Sequence, residues 1–311
     1  MAMHMLRAEN ITKTYAEHTA LNDVSISVPK GSVFGLLGPN GAGKTSLIRI
    51  INQITGPDSG RILFNDEPLK PEHVHSIGYL PEERGLYKKM KVGEQCIYLA
   101  RLKGMSDAEA RKRLWEWFER FNISGWWDKK VEELSKGMAQ KVQFVTTVLH
   151  RPEFIILDEP FSGFDPINAG IIRKEILRLR DEGATVMLST HNMTSVEEVC
   201  SHIALIHHAS VMLEGRVPEV RSRFKESVFE VQFAGEMLAF TNALWTGAEL
   251  AGHAEGDLGL RKATVKLRGN TTVNDLLAAL IPHVSVRSVT EVIPRMDDIF
   301  IRVVEQKTAA V

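Results

Sequence analysis

Cysteine is scarce: the 311 residues contain two, Cys96 and Cys200, far apart and without metal-ligand spacing around either. That removes any basis for a disulfide framework and points to a reducing, cytoplasmic setting. Long apolar runs are missing too. No stretch approaches the ~18 consecutive apolar residues that cross a bilayer, and the opening segment MAMHMLRAENITKTY lacks a basic region followed by an apolar one. A role at a membrane therefore implies docking onto one. Neither sign of charge dominates: 38 Lys+Arg face 39 Asp+Glu, for a net charge of -1 and a pI near 6.8. That balance argues against bulk electrostatic attraction to nucleic acid while leaving a local basic patch open, and no nucleic-acid partner is expected. There is no internal repeat and no low-complexity tract. Hydrophobic residues make up 44% of the chain, enough for more than one core. At roughly 150 residues per domain the length predicts about two domains.

Short, nearly continuous apolar runs, VFGLL (Val33 to Leu37), FIIL (Phe154 to Leu157), ATVML (Ala184 to Leu188) and IALI (Ile203 to Ile206), read as strands buried on both faces. Amphipathic segments separate them. Asp107 to Phe121 reads as a helix capped at Ser106 or Asp107, and Asn168 to Arg180 as another that ends before Gly183. Strands alternating with helices predict an α/β fold with a mostly parallel core sheet. Ahead of the first buried strand, LRAENITKTY and DVSISV alternate as an antiparallel β region does. After about Phe224 the rhythm changes to VFEVQF, a possible helix from Met237, the strand ATVKL, a helix capped near Thr271 or Thr272, the strand VSVRSV and a last segment from Met296. A boundary is placed at 220 to 227, giving domains 1–222 and 227–311, the second a small α+β unit.

The strand VFGLL runs into GPNGAGKTS and then into the helical pattern SLIRIINQI. This is the G-x-x-x-x-G-K-[ST] spacing between a strand and a helix that gives the pattern its meaning. Gly38, Gly41 and Gly43 let successive N–H groups turn inward on phosphate oxygens, with Asn40 and Ser46 within the same loop, and the helix N-terminus adds partial positive charge. Lys44 is expected to bridge the β- and γ-phosphates and Thr45 to offer its hydroxyl to Mg²⁺. The strand FIIL ends in Asp158 and Glu159, which places two carboxylates at the sheet edge beside the cradle. Asp158 suits the Mg²⁺ shell, and Glu159 is placed to polarise the attacking water.

Between these sites lies ELSKGMAQKVQ, and here the chain resembles the ATP-binding subunits of ABC transporters, whose signature LSGGQ corresponds to Leu134, Ser135, Lys136, Gly137 and Met138. The copy departs at its third and fifth positions. Ser135 can still cap the helix that follows, so its hydroxyl and the Gly137 N–H make a second anion site. Other family elements follow in the family's order. The resemblance implies that Tyr15 stacks on adenine; by itself the residue reads equally as a half-buried strand tyrosine. FSGFDP, Phe161 to Pro166, matches the loop that contacts the opposite subunit, with Asp165 as its acidic member. His191 matches the switch histidine and is expected to reach the γ-phosphate. In GYLPEERGLY the family's glutamine aligns with Glu82, which keeps an oxygen ligand for Mg²⁺ but adds a third carboxylate.

The resemblance covers roughly residues 5 to 220 and implies a P-loop NTPase domain of the ABC type, with a helical subdomain at about 84–150. It further implies an ATPase that uses ATP and Mg²⁺ and works as a homodimer with ATP at the interface. The partner it implies is a separate integral-membrane permease, that of an exporter, on whose cytoplasmic face the subunit sits peripherally. Export-type branches with a small C-terminal domain are the nearest in pattern. A soluble ABC-type clamp on ribosomes or DNA, and a nucleotide-dependent regulator with little turnover, are the two other classes that share these motifs. Trp115, Trp117, Trp126 and Trp127 either line the permease groove or pack within the subdomain. His73 with His75, and His207 with His208, lack a third metal ligand and read as solvated or locally bonded.

Overall fold

The computed structural model describes residues 3–83, 85–256 and 259–308. Arg84, at the expected start of the helical subdomain, lies outside the described residues. Two compact units divide the chain, Met1–Val217 and Pro218–Val311. The helix Val217–Arg223 begins at that division, and the expected boundary of 220 to 227 falls at its end.

In the first unit a six-stranded sheet runs in the order Ser210–Arg216, His202–His207, Val33–Leu37, Thr185–Thr190, Phe154–Asp158, Ile77–Leu80. Every pairing is parallel except that of the edge strand Ser210–Arg216. Val33–Leu37, Phe154–Asp158 and Thr185–Thr190 are buried at every position, as strands covered on both faces must be. A second sheet, His18–Pro29, His4–Tyr15, Ser59–Phe64, Glu67–Pro68, is antiparallel throughout. The two share a core in which Leu6, Ile26, Phe34, Ile48 and Phe154 are at most 1% exposed. Asn22 N donates to Ala209 O at 2.7 Å and Ser27 N to Glu214 Oε1 at 2.9 Å, so polar groups fasten one sheet to the other.

Helices start where side chains satisfy their first N–H groups. Ser106 caps Asp107–Arg120, Ser135 caps Lys136–Val148, and Asp165 caps Pro166–Asp181 by accepting from Ile167 N and Asn168 N at 3.0 Å each. The helices Val92–Leu102, Asp107–Arg120 and Lys136–Val148 form the helical subdomain. Within it Trp115 stacks on Trp127 at 5.1 Å, and Trp117 is buried against Phe121 and Phe144. Trp117 thus packs within the subdomain, while Trp115 stays 45% exposed over Trp127.

The second unit is one antiparallel sheet in the order Ala248–Glu255, Arg261–Leu267, Val228–Ala234, Ser285–Glu291. With the helices Met237–Asn242 and Val273–Leu280 in sequence between its strands, it has β-α-β-β-α-β connectivity, the ferredoxin-like arrangement. Phe233 and Phe240 stack 4.5 Å apart in its core, and Thr272 caps the second helix through a reciprocal box with Asp275. Both cysteines of the chain are buried; burial pushes the Cys96 thiol up to about 12 and raises Cys200 as well, which makes them inert.

Candidate active site

The strand Val33–Leu37 delivers the chain to a loop that no residue other than glycine can make at two points. Gly38 has φ +147° and Gly43 φ +112°; a Cβ would stand 2.1 Å from Ile206 O at the first and 2.3 Å from Ala20 O at the second. Both clashes are with backbone, which cannot step aside. The helix Lys44–Ile51 then begins with no side-chain cap, so its first N–H groups are free for a ligand. Lys44 is buried, and its ammonium folds back to donate to Gly38 O at 2.7 Å and Pro39 O at 3.1 Å. Those two carbonyls hold the cation in place over the loop.

A cavity of about 280 Å³ gathers Tyr15, Asn40, Gly41, Gly43, Lys44, Thr45, Ser46, Glu82, Asp158 and Glu159, ten of the residues expected from the sequence. Tyr15 stands 40% exposed at the end of its strand, its ring within 5.5 Å of the Lys13 ammonium, so one face remains for a planar group. Thr45 Oγ1 lies 3.5 Å from Asp158 Oδ2. Burial raises the Asp158 carboxyl, and Glu82 and Glu159 push the same way; Ser189 and Lys44 oppose them. Burial also lowers the Lys44 ammonium, against the pull of Glu159, Asp158 and Glu82. Glu82 thus lies close enough to act on both the lysine and the metal-site carboxylate. Thr45, Asp158 and Glu82 offer hydroxyl and carboxylate oxygens, the hard donors that Mg²⁺ prefers. Among the described residues no three His, Cys, Asp or Glu side chains converge into a metal cage; a Mg²⁺ ion is ordinarily completed by phosphate and water.

Glu159 sits at φ +48° on the turn after its strand, anchored by its own N–H donating to Ser189 O at 3.0 Å. Its carboxylate accepts from Thr190 Oγ1 at 3.2 Å and from His191 N at 3.2 Å, and meets His191 Nδ1 at 2.7 Å. The resemblance leads to the expectation of His191 on a γ-phosphate; its Nδ1 meets Glu159 Oε1, a contact that engages one of its two ring nitrogens. Strand register explains this: Asp158 pairs with Ser189, so the residues that follow each face one another across the sheet edge. Ser189, whose hydroxyl donates to Asp158 Oδ1, and Thr190 were missed. Two hydroxyls ending a buried strand just before the histidine were the available signal.

Ser135 and Gly137 do not line this cavity. Ser135 Oγ accepts from Met138 N at 3.3 Å at the head of its helix, which leaves the hydroxyl proton free to donate. Within one chain the cradle and the signature helix end do not share a cavity.

Comparison with known proteins agrees with this geometry. The family described as ABC transporter matches residues 21–162, and the family described as ATP-binding protein DrrA1-3-like, C-terminal domain, matches residues 215–304. The uncharacterized ABC transporter ATP-binding protein YhaQ of Bacillus subtilis is 44% identical over 220 residues, 71% of this chain and 74% of that protein. The chain belongs to the ABC transporter ATP-binding proteins. Linearmycin resistance ATP-binding protein LnrL, also of Bacillus subtilis, is 30% identical over 302 residues, 96% of this chain and 97% of its own. A solved ATP-binding subunit of an ABC transporter superposes with TM-score 0.66 at 30% identity, over 71% of this chain and 93% of that one. As a member of this family the protein is an ATPase built on the P-loop NTPase fold, with a DrrA-like accessory domain after it.

Proposed function

We propose that this ABC ATPase drives an exporter as a homodimer docked on a separate membrane permease. The observation that carries the reading is the separation of the cradle from the Ser135–Gly137 helix end. Two half-sites that one chain cannot close on one nucleotide become two whole sites when two chains face each other. In each, Lys44 and the loop N–H groups would hold the phosphates, Thr45, Asp158 and Glu82 would hold Mg²⁺, and Tyr15 would stack on the base. Bound Mg²⁺ would neutralise charge on the phosphates. Glu159 is the group that takes the proton of the attacking water, and His191, by holding its carboxylate, fixes the direction from which it does so. Because LnrL matches along almost its whole length and is named for resistance, export is the direction we favour.

The glutamate at position 82 has its own expected signature. Glu82→Gln retains hydrolysis, while the Mg²⁺ concentration for half-maximal phosphate release rises about threefold or more, since one formal charge leaves the metal site. Phosphate release titrated with Mg²⁺ measures this, and an inactive Glu82→Gln protein would show that Glu82 is not the equivalent of the family's glutamine.

No helix among the described residues is long and apolar enough to cross a membrane. The permease instead has an apolar groove of about 340 Å³ to enter, lined by Ile54, Val74, Tyr79, Leu99, Leu102 and His150. Ile54 and Leu102 at this groove are each 60% exposed. A short cytoplasmic helix of the permease is the occupant we assign. Leu102→Asp is expected to abolish co-purification with the permease encoded beside it; undiminished co-purification would place the docking site elsewhere. The location that follows is the cytoplasmic face of the membrane.

A further inference from the structure

Glu159 belongs to a ring of contacts that closes through Arg173, a residue outside every motif. Thr190 Oγ1 donates to the Glu159 carboxylate at 3.2 Å and accepts from Asn192 N at 3.1 Å. Asn192 caps the helix Met193–Val199, its Oδ1 accepting from Ser195 N at 3.0 Å. Ser195 Oγ in turn accepts from Arg173 Nη2 at 3.4 Å. The same guanidinium stands 5.3 Å from the centre of the Phe161 ring. Phe161 is two residues along the chain from Glu159, in a turn that Ser162 N closes by donating to Glu159 O at 3.1 Å. Arg173 thus touches both segments that leave the sheet edge, the turn after Glu159 and the helix after His191.

The chemistry of the site asks for arginine. A guanidinium offers a flat face and several donors at fixed angles. Here the face meets the Phe161 ring, Nη2 meets Ser195, and Nη1 pairs with Glu198 Oε2 at 2.8 Å, on the same short helix as Ser195. Ser195 is fully buried and Thr190 is 1% exposed, so water does not compete for the links between them. Stability does not account for the arrangement. Arg173 Nε is buried without a hydrogen-bond partner, and the ion pair is made to a half-exposed carboxylate. An unsatisfied buried donor ordinarily costs more than such a pair returns.

We infer that Arg173 is a positioning residue for hydrolysis: it fixes the turn after Glu159 against the helix after His191 and so sets the direction of the Glu159 carboxylate. The inference rests on Glu159 being the base, as proposed above. Arg173 does not line the nucleotide cavity. Without it the cradle still holds ATP, while the carboxylate is free to take unproductive directions, so turnover falls and affinity does not.

Steady-state phosphate release with ATP varied is the test. Arg173→Met, which keeps an unbranched stem and removes every donor, is expected to lower kcat about tenfold with KM within about twofold of the wild type. Ser195→Ala cuts the same chain one link further on and is expected to give the same split between kcat and KM. Because either change opens the ring, the double variant should fall no more than about 1.5-fold below the slower single one. Should Arg173→Met not fold, Ser195→Ala alone reads the chain. A kcat within twofold of the wild type, a KM that rises with kcat intact, or losses that multiply in the double variant overturn the inference. Undiminished hydrolysis by Glu159→Gln would instead remove the reading of Glu159 as base, and the inference with it; a slow Glu159→Gln beside an Arg173→Met of wild-type kcat removes the inference alone.

Discussion

Glu159→Gln protein is expected to bind ATP and to release phosphate at least about a hundredfold more slowly than the wild type. The amide keeps one oxygen to accept from His191 N, and its NH2 can donate to Thr190 Oγ1, a hydroxyl able to accept in its turn; both contacts are 3.2 Å in the wild type, and Glu159 N still donates to Ser189 O, so the turn and its φ survive. What it removes is the carboxylate assigned here to accept a proton from water. The Lys44 cradle is untouched, so binding and hydrolysis separate. Two copies held together by ATP should then stay together, and size-exclusion chromatography with ATP is expected to move the variant from monomer to dimer. Phosphate release within tenfold of the wild type would mean that Glu159 is not the base. A monomer at saturating ATP would count against the shared site.

A second expected result separates the shared site from any site completed within one chain. Lys44→Ala breaks the cradle of the chain that carries it, and Ser135→Arg puts a bulky cation on the helix end that faces the partner. Each variant alone should be inactive, because every site in its homodimer has one broken half. Mixed one to one, they should regain up to about a quarter of wild-type activity, since half the dimers are mixed and each mixed dimer has one site with both halves intact. The rescue requires the two halves to come from different chains. If the mixture is as inactive as its components, either a single intact site does not turn over or the halves belong to one chain. Phosphate release from a covalently linked dimer of one wild-type and one doubly substituted chain distinguishes these: halves shared between chains leave it no intact site, whereas halves from one chain leave it one.

Much of the site could be read before the fold was known, for a physical reason. The loop Gly38–Ser46 does its work with backbone N–H groups, and a backbone that must turn twice through φ values closed to side chains can be written only with glycine. Its sequence is therefore nearly its geometry. Asp158 and Glu159 were equally legible, because a fully buried strand that ends in two carboxylates leaves them only the sheet edge. His191 was found but its contact was not. Whether it faces a phosphate or a carboxylate depends on which strand pairs with Thr185–Thr190, and in what register, and neither is written locally. Ser189 was missed on the same ground: a serine in an apolar strand has no meaning until the neighbouring strand supplies an aspartate. The tryptophans of the helical subdomain went likewise, since stacking of Trp115 on Trp127 joins a helix to a distant turn.

The sequence by itself determined that this chain grips a triphosphate, that its first unit alternates strand and helix around a buried parallel sheet, and that a different architecture follows it. Each of these rests on patterns a few residues long, where spacing and backbone sterics leave little choice. Tertiary structure alone decided what the charges do to one another. Glu82 acts on both Asp158 and Lys44 only because the sheet edge, the cradle loop and the turn that carries Glu82 converge on one cavity. Electrostatic energy depends on separation and burial rather than on order along the chain.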